Sequence, residues 1–371
     1  MEEDTVSEGA HLRGPVLIIG SGLLGASIGL GLRAKDVEVF LSDISPSTQA
    51  VAEDIGAGKS VDVARPNFSP ELVVVATPPD VAATAVLDAL HRYPRAVVID
   101  IASVKTSVRE AVEADPGANN RHYIGTHPMA GREKSGPVAA RTELFISMPW
   151  VICPTPTSNP AAVRTAEALA VDLGAVPVRM PAEEHDEAVA LISHLPQVMS
   201  SLVASQLQNT PGTALALAGN GLRDVTRIAA SDPALWVQIL SANAPRLVGI
   251  LKGVREDLGR LIDTLERPTA PGARLDMAQL MSEGNAGQAR IPGKHGAPPQ
   301  SFAKLTVLVD DVPGQIAALL TEIGQIGVNL EDLRLDHAPG RPVGMAEVSV
   351  LPGKHQLLVD ELTSRGWKVI Q

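Results

Sequence analysis

Five short segments of this 371-residue chain carry residue types that can do chemistry. Gly20-Ser21-Gly22-Leu23-Leu24-Gly25 has GxGxxG spacing, and Asp100-Ile101-Ala102-Ser103-Val104-Lys105 offers a carboxylate, a hydroxyl and an amine. Gly125-Thr126-His127-Pro128-Met129-Ala130-Gly131 offers an imidazole, and Ile192-Ser193-His194-Leu195-Pro196 offers a second, with Gln197 just beyond. The run from Asn220 to Pro233 offers Arg223 and Arg227, with Trp236 close behind. Imidazole titrates near ~6.5 and is a base at working pH, which makes His127 the candidate proton acceptor. A guanidinium can pair with a carboxylate in a planar, bidentate way, which Arg227 and Arg223 both offer.

Residue type alone leaves plainer readings open at each position. His127 also suits a cap in a Gly/Pro-rich turn after a strand. Ser103 also suits the N-cap of a helix starting near Thr106. Lys105 reads equally as a charge near the site or a solvated first-turn residue. Arg227 has Asp224 and Asp232 within pairing range along the chain, and His194 sits in an otherwise apolar helix where core histidines are common. Trp236 suits a pocket wall or a core. His185-Asp186, beside Glu183 and Glu184, reads as a solvated first turn, and no metal site is expected.

The glycine segment is placed where a dinucleotide loop belongs. It follows the apolar run Val16–Ile19 and opens the helical stretch Leu23–Ala34. Gly20 permits the turn, Gly22 lets backbone approach a pyrophosphate, and Gly25 lets helix pack on strand, while the helix N-terminus offers N–H groups and a positive dipole. Asp43 ends the second strand and is suited to the ribose hydroxyls, where it repels a 2′-phosphate, so NAD is favoured over NADP. Thr77-Pro78-Pro79 ends the strand Leu72–Ala76, on the crevice side where the nicotinamide would lie.

The elements that must position these residues form three blocks. Residues 15–180 alternate strands (Val16–Ile19, Val37–Leu41, Leu72–Ala76, Ala96–Ile101, Trp150–Cys153, Ala175–Val178) with helices (Leu23–Ala34, Val81–Arg92, Thr106–Ala114, Pro160–Leu173). That is an α/β pattern with a parallel sheet covered on both faces. Residues 181–283 are helical, with long stretches Glu184–Leu207 and Ala234–Leu265, and suit either a dimerisation domain or a self-packed bundle. Residues 284–300 read as a linker. From 301 the order is strand Phe302–Val309, helix Val312–Ile326, strands Val328–Leu335 and Val343–Val350, helix His355–Arg365 and strand Trp367–Ile370, a ferredoxin-like βαββαβ unit.

Composition narrows the class. Hydrophobic residues are 45% and charged residues 20%, which suits a globular chain, and the net charge of −11 with only 2% aromatics argues against nucleic-acid binding. No apolar run approaches a membrane helix, and Met1–Gly9 lacks the features of a signal peptide, so cytoplasm is the expectation. The lone Cys153 cannot form an internal disulfide.

Taken together, these segments resemble the prephenate dehydrogenase family, which includes arogenate and cyclohexadienyl dehydrogenases, over most of residues 15–265. The resemblance implies a Rossmann-like dinucleotide-binding domain, a helical dimerisation domain and a homodimer. It implies NAD-dependent oxidative decarboxylation of prephenate, a step of tyrosine biosynthesis. His127 would be the base with Ser103 beside it, and Arg227, His194, Gln197 and Arg223 would hold the substrate. Prephenate is preferred to arogenate because no carboxylate adjoins these motifs to meet an ammonium. The C-terminal unit resembles an ACT domain, which implies allosteric control by tyrosine near Asp311, Gly314 and Asn329. A 3-hydroxy acid dehydrogenase is the more distant alternative, but it commonly carries a catalytic lysine in the second half, and residues 181–250 contain none. An NAD-binding amino-acid sensor would need the glycine loop but not His127.

Overall fold

The computed structural model describes residues 10–61, 68–131, 135–292, 302–337 and 343–370. The chain forms two compact units, Met1–Leu258 and Gly259–Gln371.

The first unit begins with β1 (Val16–Ile19), α1 (Leu23–Arg33), β2 (Val39–Ser42), α2 (Pro46–Asp54), β3 (Lys59–Ser60), β4 (Leu72–Val75), α3 (Pro79–Arg92), β5 (Val97–Asp100) and α4 (Thr106–Ala114). It continues through β6 (Tyr123–Pro128), β7 (Pro149–Cys153), α5 (Pro160–Asp172) and β8 (Val176–Arg179). These strands form one sheet in the order β3-β2-β1-β4-β5-β6-β7-β8. The first six follow the dinucleotide-binding order, with the switch in direction between β1 and β4. The strands are apolar on both sides because both faces are covered. Val16 and Ile18 pack with Ile28 and Leu32 of α1 and with Ala166 and Leu169 of α5. Leu17 points the other way, to Val86 and Leu90 of α3 and Val108 and Val112 of α4.

The expectation of an all-parallel sheet is corrected at one pair. β6 and β7 run antiparallel, with His127 opposite Val151. Among the described residues no α-helix crosses over between them, and a parallel pair requires a long crossover, usually such a helix. The two-residue edge strand β3 is too short and polar to have been read from a pattern.

The helical part of this unit holds α6 (Ala182–Val189), a π-turn (Ala190–His194), α7 (Leu195–Ser205), α8 (Gly212–Leu215), α9 (Asn220–Thr226), a 3-10 turn (Arg227–Ala230), α10 (Pro233–Ala242) and most of α11 (Ala244–Glu266). The π-turn has a local cause. Pro196 cannot donate to the carbonyl of Ile192 and its ring crowds that carbonyl, so the helix widens there. The single helix expected over Ala234–Leu265 is two helices meeting at 94°. Pro245 would break a continuous ladder in the same way, and the buried Asn243 sits at the corner, its side chain tied to neighbouring elements.

In the second unit, α12 (Ala273–Gln288) takes up residues 284–288 of the expected linker, and residues 293–300 of that linker lie outside the described residues. Then come β9 (Ala303–Asp310), α13 (Gln315–Ile326), β10 (Asp332–His337), β11 (Val343–Val350), α14 (Pro352–Ser364) and β12 (Lys368–Ile370). The antiparallel sheet has the order β10-β11-β9-β12. One face, with Leu305, Val307 and Val309, packs on Leu319 and Ile323 of α13 and on Leu358 and Leu362 of α14. The strand expected from Val328 starts later, because Gly327 closes α13 with a φ of 76° and Val328 plugs the core as a loop residue.

Candidate active site

Three loops at the carboxyl ends of adjacent parallel strands, with the end of β6 beside them, form one rim. In register, Ile19 lies beside Val75, Val75 beside Asp100, and Asp100 beside Gly125. The glycine loop after β1, Thr77 after β4, Ser103 after β5 and His127 near the end of β6 therefore stand side by side, about 5 Å apart per strand.

The glycine loop is tight where tightness is needed and open where a ligand would approach. Gly20 has φ of 99°, and a Cβ there would sit 2.5 Å from the carbonyl oxygen of Ala76. A Cβ on Gly25 would sit 2.0 Å from the carbonyl oxygen of Gly20, whereas one on Gly22 would meet nothing within 4 Å. Gly22 starts α1 with no side-chain cap, so the first N–H groups, over Leu23 and Leu24, stay available. The hydroxyls of Ser21 and Thr77 are buried without a hydrogen-bond partner. The carboxylate of Asp43 accepts from the backbone N–H of Ser21 at 2.6 Å and of Ser45 at 2.8 Å, tying the loop to the start of α2. Asp43 thus shapes the turn before Ser45-Pro46 and also fixes the glycine loop. Orphaned hydroxyls beside free helix amides and an acidic side chain fit the phosphates and ribose of a dinucleotide.

Lys105 is not a solvated first-turn residue, and its charge stands near His127. It is fully buried and ion-paired with the equally buried Asp100. Asp100 also accepts from the hydroxyl of Tyr123 at 2.7 Å and the N–H of Ala102 at 2.9 Å. The pair is a strut beneath the rim. Ser103 is half-buried, its hydroxyl has no partner among the described residues, and it does not cap α4. That cap comes from far along the chain: Asp186 accepts from the N–H of Lys105 at 2.8 Å and of Thr106 at 2.9 Å.

His127 lies within β6 rather than in a turn after it. Its Nδ1 is 2.9 Å from Nε2 of His185, whose Nδ1 is 2.8 Å from Oδ1 of Asp186. Burial, with His185, Lys105 and His194 adding to it, holds His127 well below the usual imidazole range, so it is neutral at neutral pH. The reading of His185-Asp186 as a solvated turn is therefore wrong: the two are 1% and 0% exposed. Ala182, His185, Asp186 and Val189 form the buried stripe of α6, a spacing of three, four and seven residues that the sequence displays. Polarity concealed it, because a histidine and an aspartate do not look like core residues.

On the helical side, His194 is 1% exposed and its Nδ1 lies 3.3 Å from Nδ2 of Asn243. Trp236 stands edge-on to it, with ring centroids 6.1 Å apart. Gln197, buried one turn on, accepts from Ser231 at 3.4 Å. This links α7 to the turn that begins with Arg227. Arg227 and Arg223 are exposed and carry no ion pair among the described residues. Asp232 does not hold Arg227, because it caps α10 through the N–H of Ala234. Arg246 of α11, not singled out by sequence, approaches Asp186 at 3.8 Å and donates to Thr106 at 3.2 Å.

The family model described as "Prephenate dehydrogenase, nucleotide-binding domain" matches residues 28–179, and "Prephenate dehydrogenase, dimerization domain" matches residues 181–283. The chain belongs to the prephenate dehydrogenase family. It is 35% identical over 359 residues to a probable prephenate dehydrogenase of Streptomyces niveus, covering 95% of this chain and 98% of that one. It is 31% identical to a cyclohexadienyl dehydrogenase of Zymomonas mobilis, covering 66% and 86%. Among solved structures it is similar to the prephenate dehydrogenase of A. aeolicus in complex with hydroxyphenyl propionate and NAD+, with a TM-score of 0.65, 26% identity and coverage of 74% and 97%. The Synechocystis arogenate dehydrogenase is similar with a TM-score of 0.60, 26% identity and coverage of 74% and 98%. About a quarter of this chain thus has no counterpart in those two structures.

The three positions expected to bind an effector do not meet within one chain. Gly314 precedes α13 with φ of 91°, Asp311 is exposed beside it, and Asn329 follows the other end of the helix. Twelve residues of helix separate them by about 18 Å. The side chain of Asn329 donates to Glu331 at 3.2 Å.

Proposed function

We propose that this protein catalyses the NAD-dependent oxidative decarboxylation of prephenate to 4-hydroxyphenylpyruvate, with arogenate as the alternative substrate. The observation that carries this reading is a neutral, buried-side histidine on the same sheet rim as a dinucleotide loop. NAD, when bound, supplies the hydride acceptor. Ser21, the first amides of α1, Thr77 and Pro78 would hold its phosphates and nicotinamide arm, and Asp43 its ribose. His127 takes the proton of the ring hydroxyl as the carbon beneath it loses its hydride. The ring carboxylate leaves as CO2, its bonding electrons complete the aromatic ring, and the proton returns to the phenolic oxygen. Ser103 hydrogen-bonds the same hydroxyl. Arg227 pairs with a substrate carboxylate, and Arg223, Gln197 and His194 complete the polar lining. A lining of cations and neutral groups suits a dianion, which supports prephenate over arogenate.

The helical block serves as the dimerisation domain of a homodimer, and the C-terminal βαββαβ unit as an ACT domain that binds tyrosine. Because its effector positions lie at opposite ends of α13, a complete effector site would combine one end from each of two chains. The test follows NADH formation with prephenate and arogenate in parallel, each with and without tyrosine. Turnover of prephenate suppressed by tyrosine is expected. Turnover of neither, with NAD still bound, overturns the reading.

A further inference from the structure

The side chains behind His127 form one hydrogen-bonded path, with an ionised carboxylate at its root. Asp186 lies at its root. The carboxylate accepts from two backbone amides at the start of α4 and from His185. Those bonds keep it ionised, with its pKa lowered to about 2 despite burial. An ionised carboxylate only accepts, so Nδ1 of His185 carries the hydrogen. In the neutral form of His185, whose single N–H is then on Nδ1, Nε2 is an acceptor. The atom it faces, at 2.9 Å, is Nδ1 of His127, which must then donate. The lone pair of His127 is left on Nε2.

A second branch leaves the same helix. The carbonyl oxygen of Asp186 is 2.7 Å from the Asn243 amide, and a carbonyl only accepts, so the atom facing it is the NH2 group. The other hydrogen of that group faces Nδ1 of His194 at 3.3 Å, which makes that nitrogen the acceptor and leaves the N–H of His194 on Nε2.

We propose that His185, Asp186 and Asn243 are positioning residues that set opposite tautomers on the two imidazoles of the site: His127 with a bare Nε2 that takes a proton, His194 with an Nε2–H that donates one hydrogen bond. This rests on the assignment of His127 as the base. Such partners behind a functional histidine fix its ring and its tautomer and stabilise the imidazolium that forms. The groups facing His127 are His185 and Asp186 on α6, Lys105 before α4 and His194 on the π-turn. Of these only Asp186 favours its protonated form, and it acts through His185.

The experiment uses the full chain labelled with 15N-histidine. Two-bond 1H–15N correlation spectra at neutral pH report the tautomer of each ring without substrate. The expected result is Nδ1–H for His127 and His185 and Nε2–H for His194. Nε2–H on His127 overturns the proposal. His185→Phe, which keeps the volume and removes both nitrogens, should lower kcat by about 10–100-fold with KM and NAD affinity little changed. His185→Gln, whose amide can donate to Asp186 and accept from His127, should restore most of that loss. Equal kcat in His185→Phe and the unaltered enzyme overturns the proposal, as does a loss in both variants that tracks lost NAD affinity. If the unaltered protein turns over neither prephenate nor arogenate but shows the expected tautomers, the relay stands and the assigned activity falls.

Discussion

The carboxylate of Asp186 caps a helix that begins 80 residues earlier, accepting the backbone N–H of Thr106 at 2.9 Å. Replacing it with alanine leaves those amides and His185 without an acceptor in a buried place. Asp186→Ala is expected to lose about 3 kcal/mol of stability, read from urea unfolding of the apo protein. A cost within experimental error would show that the cap is dispensable.

The same carboxylate makes stability depend on acid. Its folded pKa of about 2 lies below its unfolded value of 3.8, so the stabilisation is fully present above the unfolded value and drains away as pH falls through the folded one. About 2 kcal/mol is at stake. Unfolding midpoints between pH 5 and pH 2 should fall for the unaltered protein and fall less for Asp186→Asn.

His127 is neutral well into mildly acidic solution because its folded pKa is depressed, first by burial. The acid limb of kcat/KM should therefore lie below the ordinary histidine range. His127→Asn should reduce kcat by about 100-fold or more while leaving NAD affinity within twofold of its starting value. Unchanged turnover would remove His127 from the role of base.

Two glycines of one loop predict opposite phenotypes. Gly25→Ala forces a methyl against the carbonyl of Gly20 and should destabilise the apo fold, seen as a lower Tm. Gly22→Ala meets empty space, so its Tm should not move, yet NAD affinity should fall about tenfold or more, at least 1.4 kcal/mol. Equal effects on both properties would contradict a phosphate-facing Gly22.

Arg227 is exposed and has no ion pair among the described residues, so Arg227→Ala should leave Tm unchanged. Loss of a charge-assisted bond to a substrate carboxylate should lower kcat/KM by about 10–100-fold. Arg227→Lys should recover only part of this, because an ammonium lacks the planar fork.

Local chemistry explains which of these features could be read from sequence. The glycine loop, Asp43 and the helix of residues 106–114 were legible because each signal is contained in a few consecutive residues. The βαββαβ order of the C-terminal unit was legible for the same reason, with small shifts at Gly327. The corner at Asn243 was signalled by Pro245 but hidden by a strong apolar period on either side. The antiparallel β7 depends on what a connection lacks, which no window reveals. His185, Asp186 and Asn243 escaped because the partners that define them lie 49 to 81 residues away. A polar side chain with a distant partner resembles a solvated one until the partner is located.

That separation has a kinetic meaning. The path from His127 to His194 needs three contacts between residues 49 to 58 apart in sequence, and such loops are the slow, costly ones to close. Helices and the glycine turn can form from nearby residues well before then. Refolding chains should regain their helical signal first and become able to carry out the reaction last, so that a half-folded molecule stays chemically silent.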